Sequence, residues 1–370
     1  MSDRLLVGTR KGLFILKRRA RGNWSLDLPL FAGNPVSMTC HDPRDGGLLA
    51  AVVLGHFGSK FHRSDDGGKT WTEVGVPAYP PVPEGTPLEQ DPFGRVIPRT
   101  LHDVWEMVPG GPDQPGRIWC GTIPGGVFRS DDGGRTWSLV EALWNDPLRK
   151  QWMGGGADAP GVHSISVDPR DSRRLTIAVS SGGIWHTTDD GASWKNDCAG
   201  MRNDYLPPEQ AYDPNSQDPH RLVRCKGAPD RMWVQHHNGI FRSDDAGRNW
   251  IELEKAGPSV FGFPVVVHPQ QPDTAWFVPA TKDQYRYPVD AAMSVTRTRD
   301  GGKTFDVLTS GLPKPPCYDL VYRHALDLAA DGERLAFGST TGGLWISEDG
   351  GDHWHEVSAH LPPIRCVRFG

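Results

Sequence analysis

Apolar residues in this chain come in short runs of strand length, broken by glycine, proline and aspartate. Leu175-Thr176-Ile177-Ala178-Val179 is followed after a turn by Gly182-Gly183-Ile184-Trp185. Leu335-Ala336-Phe337 is followed in the same way by Gly342-Gly343-Leu344-Trp345. Pairs of short runs joined by glycine-containing turns read as antiparallel hairpins. Almost no stretch keeps a helical period, so the pattern predicts an all-β chain.

One motif punctuates these hairpins: Ser/Thr-x-Asp-x-Gly-x-Thr/Ser-Trp. It runs from Ser64 to Trp71 and from Ser130 to Trp137, then with small departures from Thr187 to Trp194, Ser243 to Trp250, Thr298 to Phe305 and Ser347 to Trp354. An eroded copy ends at Trp24, with Arg19 at the aspartate position. Repetition at a period of about fifty residues marks a propeller or solenoid. The residue types suit a turn. The carboxylate accepts backbone N–H groups, glycine takes a positive φ and the hydroxyls bond locally. The closing Trp buries a large apolar face.

The motif resembles the Asp box of the BNR-repeat proteins, and the resemblance extends over essentially the whole chain. It implies a β-propeller in which the box aspartates are structural. Activity stays open, because the superfamily includes sialidases, other glycoside hydrolases, sortilin-type receptors and photosystem assembly factors. Sialidases use an arginine triad and a Tyr–Glu pair. The nearest echo of their arginine motif here, Arg95-Val96-Ile97-Pro98-Arg99, follows the first good box and carries an extra residue. A true sialidase is therefore not expected.

At 370 residues, length alone suggests two or more domains. The repeats argue instead for one domain over 1–370, a seven-bladed β-propeller of four-stranded antiparallel blades. The N-terminal strands lack an innermost partner, and Ile364-Arg365-Cys366-Val367-Arg368-Phe369 is strand-like and otherwise unpaired. Pairing of the two termini in one blade would leave no open edge.

Composition narrows the partners. A net charge of −5 and only short basic blocks, such as Lys17-Arg18-Arg19-Ala20-Arg21, argue against nucleic acid. No apolar run has the length of a membrane span, and Met1-Ser2-Asp3-Arg4 leads directly into a strand without a signal-like segment. The six cysteines include no CxxC pair and read as reduced core residues of a cytoplasmic protein. The expected ligand is a small molecule or carbohydrate, and oligomeric state is not legible.

Aligning blades on their boxes and on the Asp-Pro turn places His102, His163, His220 and His324 in one column near the start of each first strand. Ser37 and Phe263 fill that column in other blades. Histidines at one level of a channel could hold a single divalent transition metal. The alternatives are a metal-free polar site or cross-blade hydrogen bonds. Arg99, Arg221 and Arg323 stand close in sequence to column histidines and are expected to bind an anionic group on the substrate. His56 in LGHFGSKF and His236 and His237 in VQHHNGIF are the catalytic candidates.

Three long connections are expected to wall the channel mouth: Thr72 to Thr100, with Glu84 and Glu89, Trp144 to Ala159, and Met201 to Pro219. The leading expectation is an enzyme of hydrolase or lyase type acting on a small or sugar-like substrate. A non-catalytic assembly propeller and a glycoside hydrolase with paired carboxylates are the alternatives.

Overall fold

The computed structural model describes residues 3–19, 22–155 and 157–370; Ala20, Arg21 and Gly156, which fall in the eroded box, the basic block and the glycine run, lie outside the described residues. The described strands form seven four-stranded antiparallel sheets, and the fold is a seven-bladed β-propeller. Numbered in chain order, the first strands of blades 2 to 7 are Val36–His41, Asp103–Pro109, Val162–Asp168, Pro219–Arg224, Gly262–Val267 and Leu326–Leu328. Blade 1 joins Arg4–Thr9, Gly12–Arg18 and Trp24–Leu26 to the C-terminal strand Ile364–Phe369. Leu5 pairs with Phe369 and Val7 with Val367, so the expected union of the two termini is present.

In blades 2 to 7 the boxes fall on the turn after the third strand, and their chemistry explains the repetition. In blade 2, Asp66 Oδ1 accepts the N–H groups of Lys69 and Thr70 at 2.9 Å, and Oδ2 accepts the Thr70 hydroxyl at 2.7 Å. Asp132 and Asp300 repeat the set within about 0.1 Å. The box glycine takes positive φ throughout, from 84° at Gly134 to 93° at Gly351, where a Cβ would be strained.

Contacts group the chain into two compact units, residues 1–39, 223–246 and 251–370, and residues 40–222 and 247–250. In the first unit, an arginine of a third strand reaches the box of the next blade: Arg297 Nη1 donates to the Gly350 carbonyl at 2.8 Å, and Arg242 Nη1 to that of Gly301. Its core gathers Leu5, Val7, Phe337, Trp345 and Trp354. In the second unit, Arg63 Nη1 donates to the Gly133 carbonyl at 2.8 Å in the same way. That unit's core holds Trp119, Trp152, Ile177 and Trp185.

All six cysteines are free and buried. Burial pushes the Cys198 thiol up to about 12 and the Cys317 thiol up to about 11, which keeps both protonated. Among the described residues no helix is long and apolar enough to cross a membrane.

Candidate functional site

The second unit brings several of the expected residues together on the first strands of blades 3, 4 and 5. In blade 3, Val104 pairs with Thr122 and Glu106 with Gly121, which leaves Trp105 in a bulge. In blade 4, Val162 pairs with Val179 and Ser164 with Ala178, which leaves His163 in the same bulge. The register therefore sets Trp105, not His102, at the place equivalent to His163. His102 is exposed and precedes the strand. Bulges re-aim side chains, and the two rings lie 6.2 Å apart. Gly161 permits this, since a Cβ there would stand 2.6 Å from Trp105 Cε3.

Beneath these rings runs a buried polar chain. Glu106, 1% exposed, accepts a hydrogen bond from Arg221 Nη1, which also donates to the His163 carbonyl at 2.7 Å. The Leu222 N–H donates to Ser164 Oγ at 3.0 Å, and Ser164 Oγ also shares a hydrogen bond with His163 Nδ1 at 3.0 Å. His220 Nε2 lies 3.8 Å from Asp218, whose Oδ1 accepts the Ser181 N–H at 3.3 Å. The Gly155 N–H donates to Ser180 Oγ at 2.9 Å, seating the connection after blade 3 on this corner.

This geometry gives the side chains unequal chemistry. Arg221 spends its charge on Glu106, so the pair positions a strand rather than offering an open anion receptor. Arg99 lies elsewhere in the unit, stacked 5.1 Å from the Trp144 ring and 3.5 Å from Glu89. His56 is exposed in a turn against Phe57, with ring centroids 3.9 Å apart.

The first unit gathers the remaining candidates around aromatic rings. Arg323 and Arg286 lie over the Phe263 ring at 5.5 and 5.6 Å. Phe263 meets Tyr322 edge-on at 4.9 Å and Phe261 at 5.4 Å, and His237 meets Phe261 at 5.8 Å. A second run of rings links Tyr285, Tyr287 and Tyr318, with centroids 6.4 and 5.5 Å apart. Tyr285 is 51% and Tyr318 63% exposed. His236 is buried and its Nδ1 accepts the Asn238 N–H at 3.1 Å, which gives it a turn-forming role. His324 is buried, and its carbonyl accepts the Val367 N–H at 2.9 Å.

Sequence reasoning passed over Glu106, Trp105, Asp218 and the tyrosine run. The first had a visible signal: a carboxylate inside the apolar run Val104-Trp105-Glu106-Met107-Val108 demands a buried partner.

Comparison with known proteins agrees with this architecture. The BNR/Asp-box repeat model matches residues 62–73 and 128–139. The chain thus carries BNR/Asp-box repeats on a seven-bladed β-propeller. It is 24% identical over 93% of its length to the probable oligoxyloglucan-reducing end-specific xyloglucanase of Neosartorya fischeri, and 22% identical over 93% to the oligoxyloglucan-reducing end-specific xyloglucanase of Emericella nidulans. It spans only 41% and 42% of those two proteins. Among solved structures, a GH74 enzyme of Niastella koreensis superposes with a TM-score of 0.64 at 17% identity, over 96% of this chain and 52% of that one. YCF48 bound to D1 peptide superposes with a TM-score of 0.54 at 13% identity, over 95% of this chain and 88% of that one.

Proposed function

We propose that this propeller binds an oligosaccharide and acts on it as a glycoside hydrolase, with xyloglucan fragments as the first substrate class to test. The observation that carries this reading is the run Tyr285–Tyr287–Tyr318, exposed at Tyr285 and Tyr318, beside the Phe263 cluster with Arg286 and Arg323. A pyranose has an apolar C–H face that packs on an aromatic ring, and its hydroxyls bond to phenolic and guanidinium groups. The xyloglucanase names of the curated relatives supply the sugar class.

A proton-transfer role is proposed separately for the second unit's His163 and His220, with Asp218 beside the latter. Metal binding at the histidines is a separable proposal, decided by elemental analysis of the purified protein. A cytoplasmic location accords with the six free thiols.

Titration with xyloglucan oligosaccharides, followed by heat release and by reducing-end production, tests the reading. Tyr318→Ala should weaken binding about tenfold, the loss of about 1.4 kcal/mol of ring contact. Absence of binding by any oligosaccharide would overturn the proposal. A second reading, a non-catalytic assembly propeller, is favoured by one fact: the chain spans 88% of YCF48 but only 52% of the GH74 enzyme. Binding of a peptide with no turnover of sugar would select it.

A further inference from the structure

We propose that the second unit carries a binding site for a small molecule bearing an oxyanion, either a carboxylate or a phosphate monoester, in the cavity between the blade 2 to blade 3 connection and the helical segment after blade 3. The cavity has a volume of about 620 Å³ and is lined by Pro80, Glu89, Arg99, Trp144, Arg149 and Lys150, among others. That volume lies in the range of small-molecule pockets. The short helix Glu141–Trp144 and the 3-10 turn Pro147–Gln151 form one wall.

The construction is specific. Arg149, 2% exposed, donates through Nε to the Trp144 carbonyl at 2.5 Å and through Nη2 to both oxygens of Glu89 at 2.6 and 2.8 Å. Its guanidinium lies 3.9 Å from the Trp144 ring centroid, and that of Arg99 lies 5.1 Å from it. Stacking on one indole fixes both cations before any ligand arrives. Glu89 bridges them, accepting from Arg99 Nη2 at 3.5 Å. Yet Arg149 Nη1 and Arg99 Nε are buried without an acceptor among the described residues. Buried guanidinium N–H groups are ordinarily satisfied.

The charge points the same way. Three cations, Arg99, Arg149 and Lys150, face Glu89 and the exposed Glu141. Glu89 sits as an internal carboxylate on a fork built for carboxylates, and leaves donors unused. An oxyanion entering the cavity would share this fork with Glu89, the side chains shifting to present the idle N–H groups. The inference uses none of the residues assigned to sugar binding and stands apart from that reading.

The experiment is a thermal-shift and calorimetric titration of the whole protein at low salt with inorganic phosphate, D-glucuronate and D-glucose. At least one anion should bind saturably and glucose should not; phosphate alone identifies a phosphate site, and glucuronate alone a carboxylate site. Arg99→Gln should weaken the anion about tenfold, as loss of one charge-assisted contact. Lys150→Ala, a change at the cavity rim, should weaken it less. Glu89→Gln should strengthen it, because an internal competitor is removed; a purely structural salt bridge gives no such gain. Anions that bind no better than glucose, or bind Arg99→Gln as they bind the unaltered chain, would overturn the proposal. So would weaker anion binding by folded Glu89→Gln.

Discussion

The Asp-box turns and the first strands of the blades are both repeated, but they repeat different things. At the boxes the same atoms make the same bonds: Asp66, Asp132 and Asp300 each collect two backbone N–H groups and a threonine hydroxyl. The Thr304 N–H bond above all holds the Asp300 carboxyl down to about 2. Such a carboxylate is fully occupied and has little left for a ligand. On the first strands the backbone repeats while the side chains do not. The bulged place holds Trp105 in blade 3 and His163 in blade 4. Identity across copies marks what the fold requires, and variety at an equivalent backbone place marks where the fold leaves the residue free.

The most damaging way to break this contrast is to disturb the first-strand ion pair. Arg221→Met removes the cation hydrogen-bonded to the buried Glu106 carboxylate, and should cost about 3–5 kcal/mol in urea unfolding. Adding Glu106→Gln should recover most of that loss. Full stability of the single variant would mean that Arg221 is not the partner on which Glu106 depends. At the boxes, Asp132→Ala removes the acceptor of two exposed turn N–H groups and should cost about 0.5–1.5 kcal/mol. Sugar binding per folded molecule should stay unchanged. A folded Asp132→Ala protein that has lost its ligand would dissolve the distinction between the two regions.

The same contrast explains what was legible in the sequence. Box residues repeat because a local turn dictates them, so strand order, blade number and the union of Leu5–Gly8 with the C-terminal strand could be read directly. The register of the first strands could not. A bulge inserts one residue without a compositional mark, so His102 was matched to His163 although the backbone equates His163 with Trp105. Pairings such as Arg221 with Glu106, or Arg149 with Glu89, join distant segments, and their distances depend on tertiary geometry. The tyrosine run had no periodic signal, since Tyr318 belongs to a different connection from Tyr285 and Tyr287.

The gentlest test lies where a first strand ends in its turn. Asp42 and Asp168 precede proline there, and each accepts a backbone N–H, from Arg44 at 3.0 Å and Arg170 at 2.9 Å. Blade 6 puts His268 in this role: its Nδ1 accepts the N–H groups of Gln270 and Gln271, both at 3.0 Å. An imidazole can do so only when neutral at Nδ1. Burial lowers its pKa below the ordinary 6.5, against the upward pull of Glu333 and Asp331. The unfolded chain therefore binds a proton more readily than the folded one between the two values. Stability from this turn is present above about 6.5 and lost as pH falls through that window toward the lowered value. Melting temperature should drop on acidification from pH 7.5 to 5.5, and His268→Asp should flatten that part of the profile, because a carboxylate keeps its acceptors across the range. An unchanged slope in the variant would show that His268 does not make the turn sensitive to pH.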